Sequence, residues 1–177
     1  PEEIYFTSGG TESDNWALKG IAFRRLKSGC HIITSKIEHP AIYKTCEYLK
    51  GLGADITYLD VDQTGMISLS ELRRAIRKNT VLISIMTANN EIGTIQPIYE
   101  IGKIAAANHI LFHTDAVQAF GHIPLDVNKC SLSMLSASSH KFGGPKGVGF
   151  LYIRKGVEID SFLHGGEQEN GMRAGTG

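Results

Sequence analysis

The chain has 177 residues, 42% hydrophobic and 20% charged, the composition of an ordinary globular domain. Eighteen basic residues balance eighteen acidic ones, so no whole-chain field draws it to nucleic acid or to an anionic membrane surface. No apolar run approaches a bilayer span, no targeting peptide is recognisable, and three cysteines make no disulfide framework, which points to a reducing, cytoplasmic setting.

Ile4-Tyr5-Phe6 predicts a short strand that ends in Thr7-Ser8-Gly9-Gly10. A helix follows from about Thr11 to Lys27, with Trp16, Ile21, Phe23 and Leu26 on or near its apolar side. Ile32-Ile33-Thr34 predicts a second strand, which leads through Glu38-His39-Pro40 into a helix whose first turn suits a proline. Ile56 to Leu59 predicts a strand and Leu69 to Ile76 a helix. Val81 to Met86 is a near-continuous apolar run, the pattern of a strand covered on both faces. Ile98 to Ala107 reads as helix, Ile110 to Phe112 and Leu132 to Leu135 as strands, and Val148 to Ile153 closes the series. Strand alternating with helix predicts an α/β fold, a mainly parallel sheet flanked by helices in three layers. With no repeat, low-complexity segment or linker, residues 1–177 form a single domain in this reading. The opening Pro1-Glu2-Glu3 and the closing Ala174-Gly175-Thr176-Gly177 mark it as a piece of a longer protein.

In such sheets ligands gather at the carboxyl edge, where loops leave for the next helix. The polar clusters of this sequence fall there. Ser8-Gly9-Gly10-Thr11 can offer backbone N–H groups and a hydroxyl to a phosphate at a helix start, or can be a tight turn with Thr11 as a cap. Glu12 and Asp14 repel an anion there unless they point away. His39 can lie over a flat heteroaromatic ring or serve structure, and Asn89-Asn90 can bind a ligand or make a turn. Asp115 can hold a pyridine nitrogen protonated or cap a helix, and Gln118 lies one helical turn further on. Ser138-Ser139-His140-Lys141 brings an amine to the same rim, where it can condense with a carbonyl.

Thr7 to Asn15, Glu38-His39, Asn89-Asn90-Glu91-Ile92-Gly93, Thr114-Asp115-Ala116-Val117-Gln118 and Ser138 to Lys141 together resemble the cysteine desulfurases. These are pyridoxal phosphate enzymes of fold type I related to class V aminotransferases. His164-Gly165-Gly166 and Gly171 to Thr176 continue the match, and the Asn-Asn-Glu-Ile-Gly element resembles the iron–sulfur-cluster and nitrogen-fixation branch. The chain departs from the pattern at Glu167 and Asn170.

The resemblance implies the central part of a large cofactor domain, about half of a subunit, without the N-terminal segment and the C-terminal small domain. It implies that Lys141 tethers pyridoxal 5'-phosphate, Asp115 pairs with the ring nitrogen, Gln118 bonds the ring hydroxyl, and His39 stacks on the ring and shuttles protons. Gly10, Thr11, Ser138 and His140 hold the phosphate, Thr176 reaches the neighbouring phosphate in a homodimer, and Asn90 contacts the ring hydroxyl and the substrate carboxylate. The implied reaction turns L-cysteine into L-alanine and leaves persulfide sulfur on an enzyme cysteine, for an iron–sulfur scaffold or other acceptor. That nucleophile is expected beyond the end of this chain; Cys30, Cys46 and Cys130 match no such loop. The same scaffold serves class V aminotransferases, selenocysteine lyases and cysteine sulfinate lyases.

Two metal patterns compete. Asp60 to Glu71 nearly fits an EF-hand calcium loop, but a strand precedes it and Ser68-Leu69-Ser70-Glu71 is also a capping box. His109 and His113 have the spacing of zinc ligands on a helix, yet the pattern changes from helix to strand between them, so no metal is assigned.

Overall fold

A computed structural model describes residues 2–175. Its strands and helices follow one another as β1 (Ile4–Thr7), α1 (Gly10–Arg25), β2 (His31–Ser35), α2 (Pro40–Gly51), β3 (Asp55–Leu59), α3 (Leu69–Ala75), β4 (Thr80–Ser84), α4 (Ile98–Ala107), β5 (Leu111–Asp115), β6 (Met134–Ser138) and β7 (Gly149–Ile153). The strands form one sheet in the order β1-β7-β6-β5-β4-β2-β3. From β3 to β6 every neighbour is parallel, joined by crossovers. β7 alone runs against its neighbours, β6 on one side and β1 on the other. The expected mainly parallel α/β sheet is therefore present.

Alternation along the strands divides the apolar side chains between two cores. Ile32, Leu82, Met134 and Leu151 join Trp16, Leu18 and Ile21 of α1 and Ile42 and Leu49 of α2 on one face. Ile33, Ile83, Leu135 and Tyr152 join Leu72 of α3 and Ile101 and Ile104 of α4 on the other. Helices cover both faces, which gives the three layers. α4 sits very close to the turn before β6: a Cβ added at Gly102 would lie 1.9 Å from the Cys130 carbonyl oxygen. Only glycine allows that approach, and it seats β6 beside β5.

Most strands shift by a residue or two from the expected spans, β4 ending at Ser84 and not Met86, and two are displaced furthest towards the carboxyl edge. β5 runs on through His113, Thr114 and Asp115, and β6 starts at Met134 and runs to Ser138. The polar residues in these extensions are buried because they bond one another. His113 Nδ1 lies 2.9 Å from Ser84 Oγ, and its Nε2 lies 2.9 Å from Ser136 Oγ. Thr114 donates to the Ile85 carbonyl at 2.7 Å. These extensions carry Asp115 and Ser138 to the carboxyl edge.

Candidate functional site

Strands β1, β2, β4, β5 and β6 all point their carboxyl ends at one rim, and their loops close a pocket of about 270 Å³ there. It is lined by Gly10 and Thr11, Asp14, His39, Met86, Asn90, Asp115, Val117, Gln118, Ser138, His140 and Lys141. Every site residue expected from the sequence is therefore gathered here except Thr176, which lies outside the described residues. The volume is near the lower end of the roughly 300–1,000 Å³ typical of small-molecule sites.

Each wall has a local cause. Gly9 precedes α1 at φ 152, a conformation that favours glycine, and it gives the helix no side-chain cap. The first turn therefore presents bare backbone to the pocket, where an anion gains from the N–H groups and the helix dipole. Glu12 has turned away, as an anion site requires. Its carboxylate accepts from Arg173 Nε and from the Ser8 N–H, each at 2.8 Å, and these contacts outweigh its partial burial and lower its pKa.

His39 caps α2, its Nδ1 accepting the Ala41 N–H at 3.1 Å, while Pro40 occupies the first helical turn. The neighbouring Glu38 turns into the protein, where it accepts from Ser35 Oγ at 2.7 Å and from the Met86 N–H at 3.0 Å. Burial raises its pKa to about 8 against both of those bonds. The Asn pair divides its labour. Asn89 is buried and ties the loop, accepting the Glu91 and Ile92 N–H groups and donating to the Ile37 carbonyl, whereas Asn90 lines the pocket.

Asp115 is 5% exposed at the end of β5 and accepts the Val117 N–H at 2.9 Å. Burial raises its pKa, opposed by that bond and by His39. Lys141 closes the 3-10 turn Ser139–Lys141 that follows β6, and its carbonyl lies 2.8 Å from His122 Nε2. Ser138 Oγ and His140 Nδ1 are 3.0 Å apart.

The chemistry of this donor set suits a flat, phosphate-bearing aldehyde. An amine stands at one wall, an uncapped helix start with nearby hydroxyls and imidazole at another, and a buried carboxylate at the floor. Sequence reasoning noticed Asp14 only as an obstacle, and the structure puts it in the pocket wall. His113, considered only as a zinc ligand, is instead a fully buried clamp between Ser84 and Ser136. Exposed His109 sits outside the strand. The EF-hand reading also fails on geometry. β3 precedes the loop, Asp62 Oδ1 accepts the N–H groups of Thr64 and Met66, and Ser68 Oγ caps α3 at the Glu71 N–H.

Against known proteins, the family model Aminotransferase class-V matches residues 1–175. The chain belongs to the class V aminotransferase family. It is 67% identical over 174 residues to the cysteine desulfurase IscS of Methanosarcina thermophila, covering 98% of this chain and 43% of that protein. Identity to the cysteine desulfurase IscS of Dictyoglomus turgidum is 59% over 175 residues, 99% of this chain and 44% of the relative. Among solved structures, SspA in complex with cysteine superposes with a TM-score of 0.97 at 49% identity, over all of this chain and 52% of that one. The chain thus spans about half the length, or less, of the relatives it matches.

Three thiols complete the inventory. Cys30 and Cys46 are buried, and burial raises their pKa values to about 11 and about 12. Cys130 is half-buried with its pKa raised, also chiefly by burial. A thiol nucleophile reacts as the thiolate, so none of the three is suited to that role.

Proposed function

We propose that the protein to which these residues belong is a pyridoxal phosphate-dependent cysteine desulfurase. The observation that carries this reading is the meeting of Lys141, Asp115, His39 and the open start of α1 in one pocket. The cysteine desulfurase names of the relatives, and the cysteine in the SspA structure, support the substrate.

When bound, pyridoxal phosphate supplies an electron sink that lets the β-substituent of an amino acid depart. The chain's own residues do the rest. Gly10 and Thr11, with Ser138 and His140, present N–H, hydroxyl and imidazole donors to the phosphate. Asp115 would hold the ring nitrogen with its carboxylate and keep it protonated, and Gln118 would bond the ring hydroxyl. Asn90 orients the substrate carboxylate. Lys141 would tether the cofactor, and its amine, when free, would move a proton at the substrate Cα. His39 would cover the ring and could carry a second proton. The thiol that takes the sulfur is supplied from outside these residues, since Cys30, Cys46 and Cys130 are unsuited to it. A homodimer, a cytoplasmic location and an iron–sulfur scaffold or other sulfur acceptor complete the proposal. Among the described residues no helix is long and apolar enough to cross a membrane.

The test uses the full-length protein. Borohydride reduction of the cofactor-loaded form is expected to leave a permanent adduct that peptide mapping assigns to Lys141, and incubation with L-cysteine should yield alanine and, under reducing conditions, sulfide. Lys141→Ala should lower alanine formation by roughly 10²–10⁴-fold or more. An adduct on another residue would overturn the site, and turnover of L-cysteine to a keto acid without sulfide would make the protein an aminotransferase.

A further inference from the structure

Asp14 has no part in the proposed reaction, yet it lines the pocket from a buried position. It stands on α1 one helical turn beyond Gly10, it is 1% exposed, and its Oδ1 has no hydrogen-bond partner. Among the described residues only Thr34 Oγ1 shares that condition. A buried carboxylate with one oxygen left unpartnered costs several kcal/mol, which favours a nearby cation or a retained proton.

The nearest cation candidate is unable to serve. His113 Nε2 lies 3.8 Å from Asp14 Oδ1, but Ser84 and Ser136 hold both ring nitrogens, and burial lowers its pKa to about 3. The imidazole is neutral at any ordinary pH. Among the acidic neighbours only Asp115 adds negative charge at neutral pH, since Glu38, raised to about 8, keeps its proton. One donor atom from each of Asp14, His39 and Asp115 lies within 4.8 Å of the other two, and Glu38 is a further acidic neighbour. Burial first, and Asp115 second, push the Asp14 pKa well up, while Ser136 opposes them. Of the remaining titratable groups, His140 and Lys141 also line the wall, and in the proposed function they serve the phosphate and the carbonyl of the ligand.

Two buried carboxyl groups this close disfavour a second negative charge, so one of them keeps its proton. Their surroundings differ enough to decide which keeps it. Asp115 Oδ1 accepts the Val117 N–H at 2.9 Å and His39 also favours its anion, whereas Asp14 Oδ1 accepts nothing and the Asp14 carboxyl is helped only by a Ser136 hydroxyl that also bonds His113.

We propose that Asp14 is a positioning residue that retains the proton of the Asp14–Asp115 pair, so that a single negative charge, on Asp115, faces the ring nitrogen of bound pyridoxal phosphate. The proposal rests on the functional reading above. It also explains how an acidic side chain can stand beside a phosphate cradle: Glu12 has turned away to Arg173, and Asp14 stays but carries no charge.

Infrared spectroscopy of the full-length protein tests this, with aspartate labelled by ¹³C so that protonated Glu38 does not intrude. The cofactor-free wild type should show a labelled, protonated carboxyl band at pH 7. That band should vanish in Asp14→Asn and persist in Asp115→Asn. In the loaded protein, Asp14→Asn should leave cofactor affinity within about twofold, and the pH midpoint of the cofactor absorption change within about half a unit, because one neutral group replaces another. A merely structural aspartate would shift thermal stability without giving the band. Absence of the band in the wild type, its survival in Asp14→Asn, or a midpoint displaced by about one unit or more in that variant overturns the proposal. Absence of the band in the wild type overturns the proposal even if the variants fold poorly, and assignment of a band that is present rests on the two variants. If borohydride leaves no adduct on Lys141, the functional reading falls and this one with it; an adduct without the band sinks only this one.

Discussion

The sheet has a hollow at each edge, and the larger one is the less informative. At the amino edge a depression of about 790 Å³ is lined by Arg24, Arg25, Lys78, His109 and Glu158 among others, all exposed, and Arg24 is paired with Glu158 at 2.6 Å and Asp160 at 3.0 Å. The nearby His31 is buried but satisfied, its ring nitrogens 2.7 and 2.8 Å from Thr80 and Thr57 hydroxyls. The carboxyl-edge pocket is about 270 Å³, yet it holds two buried aspartates, one with an unpartnered oxygen, beside an amine and two imidazoles. Perturbed titratable groups short of partners, and not empty volume, mark the carboxyl edge as the candidate site.

The sharpest way to break that contrast is at Asp115. Asp115→Ala in the full-length protein removes the only charge proposed to face the ring nitrogen. It should cost roughly 10²–10³-fold in alanine formation, the scale of losing one preorganised electrostatic contact, and should weaken cofactor retention in equilibrium dialysis. Turnover within tenfold of wild type would mean that the carboxyl edge is not organised around that carboxylate.

Two buried imidazoles extend the contrast to stability. Burial, helped by Arg77, holds His31 near 4, and burial alone holds His113 near 3, both below the ordinary 6.5. At pH values between the folded and unfolded pKa, the unfolded chain binds the proton and the folded chain does not. Each histidine's contribution is therefore full above about 6.5 and declines as pH falls towards its folded value. Glu38, raised to about 8 from 4.5, acts the other way: its contribution is full below 4.5 and is lost as pH rises through about 8. Chemical denaturation across pH 4.5–6.5 should show wild type gaining on His113→Gln by up to about 1.4 kcal/mol per pH unit, with a similar slope against His31→Gln. A flat difference for His31 alone would show that water reaches the amino edge, and would sharpen the contrast between the two.

Much of this was legible in the sequence, and what was not has one cause. Helices α2 and α4 and the apolar halves of the strands follow from periodicity, and the rim residues follow from where each strand runs out. The extensions of β5 and β6 escaped because His113, Thr114, Ser136 and Ser138 read as polar, and polar residues mark loops in a hydropathy pattern. They are buried because they bond one another across neighbouring strands, as His113 does to Ser84 and Ser136. Asp14 escaped for a related reason. Its charge was counted as fixed, whereas enclosure decides whether the carboxyl is charged at all.

The smallest expected effect lies at the amino edge. Arg24 makes two ion pairs, but its side chain is 38% exposed and those of Glu158 and Asp160 are 77% and 42% exposed. Water and salt screen such pairs, and holding three long side chains in one arrangement costs entropy that offsets much of the attraction. The backbone nearby is fixed by other means: Trp16 Nε1 donates to the Asp160 carbonyl at 2.9 Å, and Ile159 packs against Gly20. Arg24→Ala should therefore leave the melting temperature of the full-length protein unchanged within error at 0.15 M salt and leave alanine formation untouched. A clear loss of stability that high salt fails to reproduce in the wild type would show that the guanidinium is enclosed by another part of the protein, and the amino edge would then be an internal surface and not a solvated one.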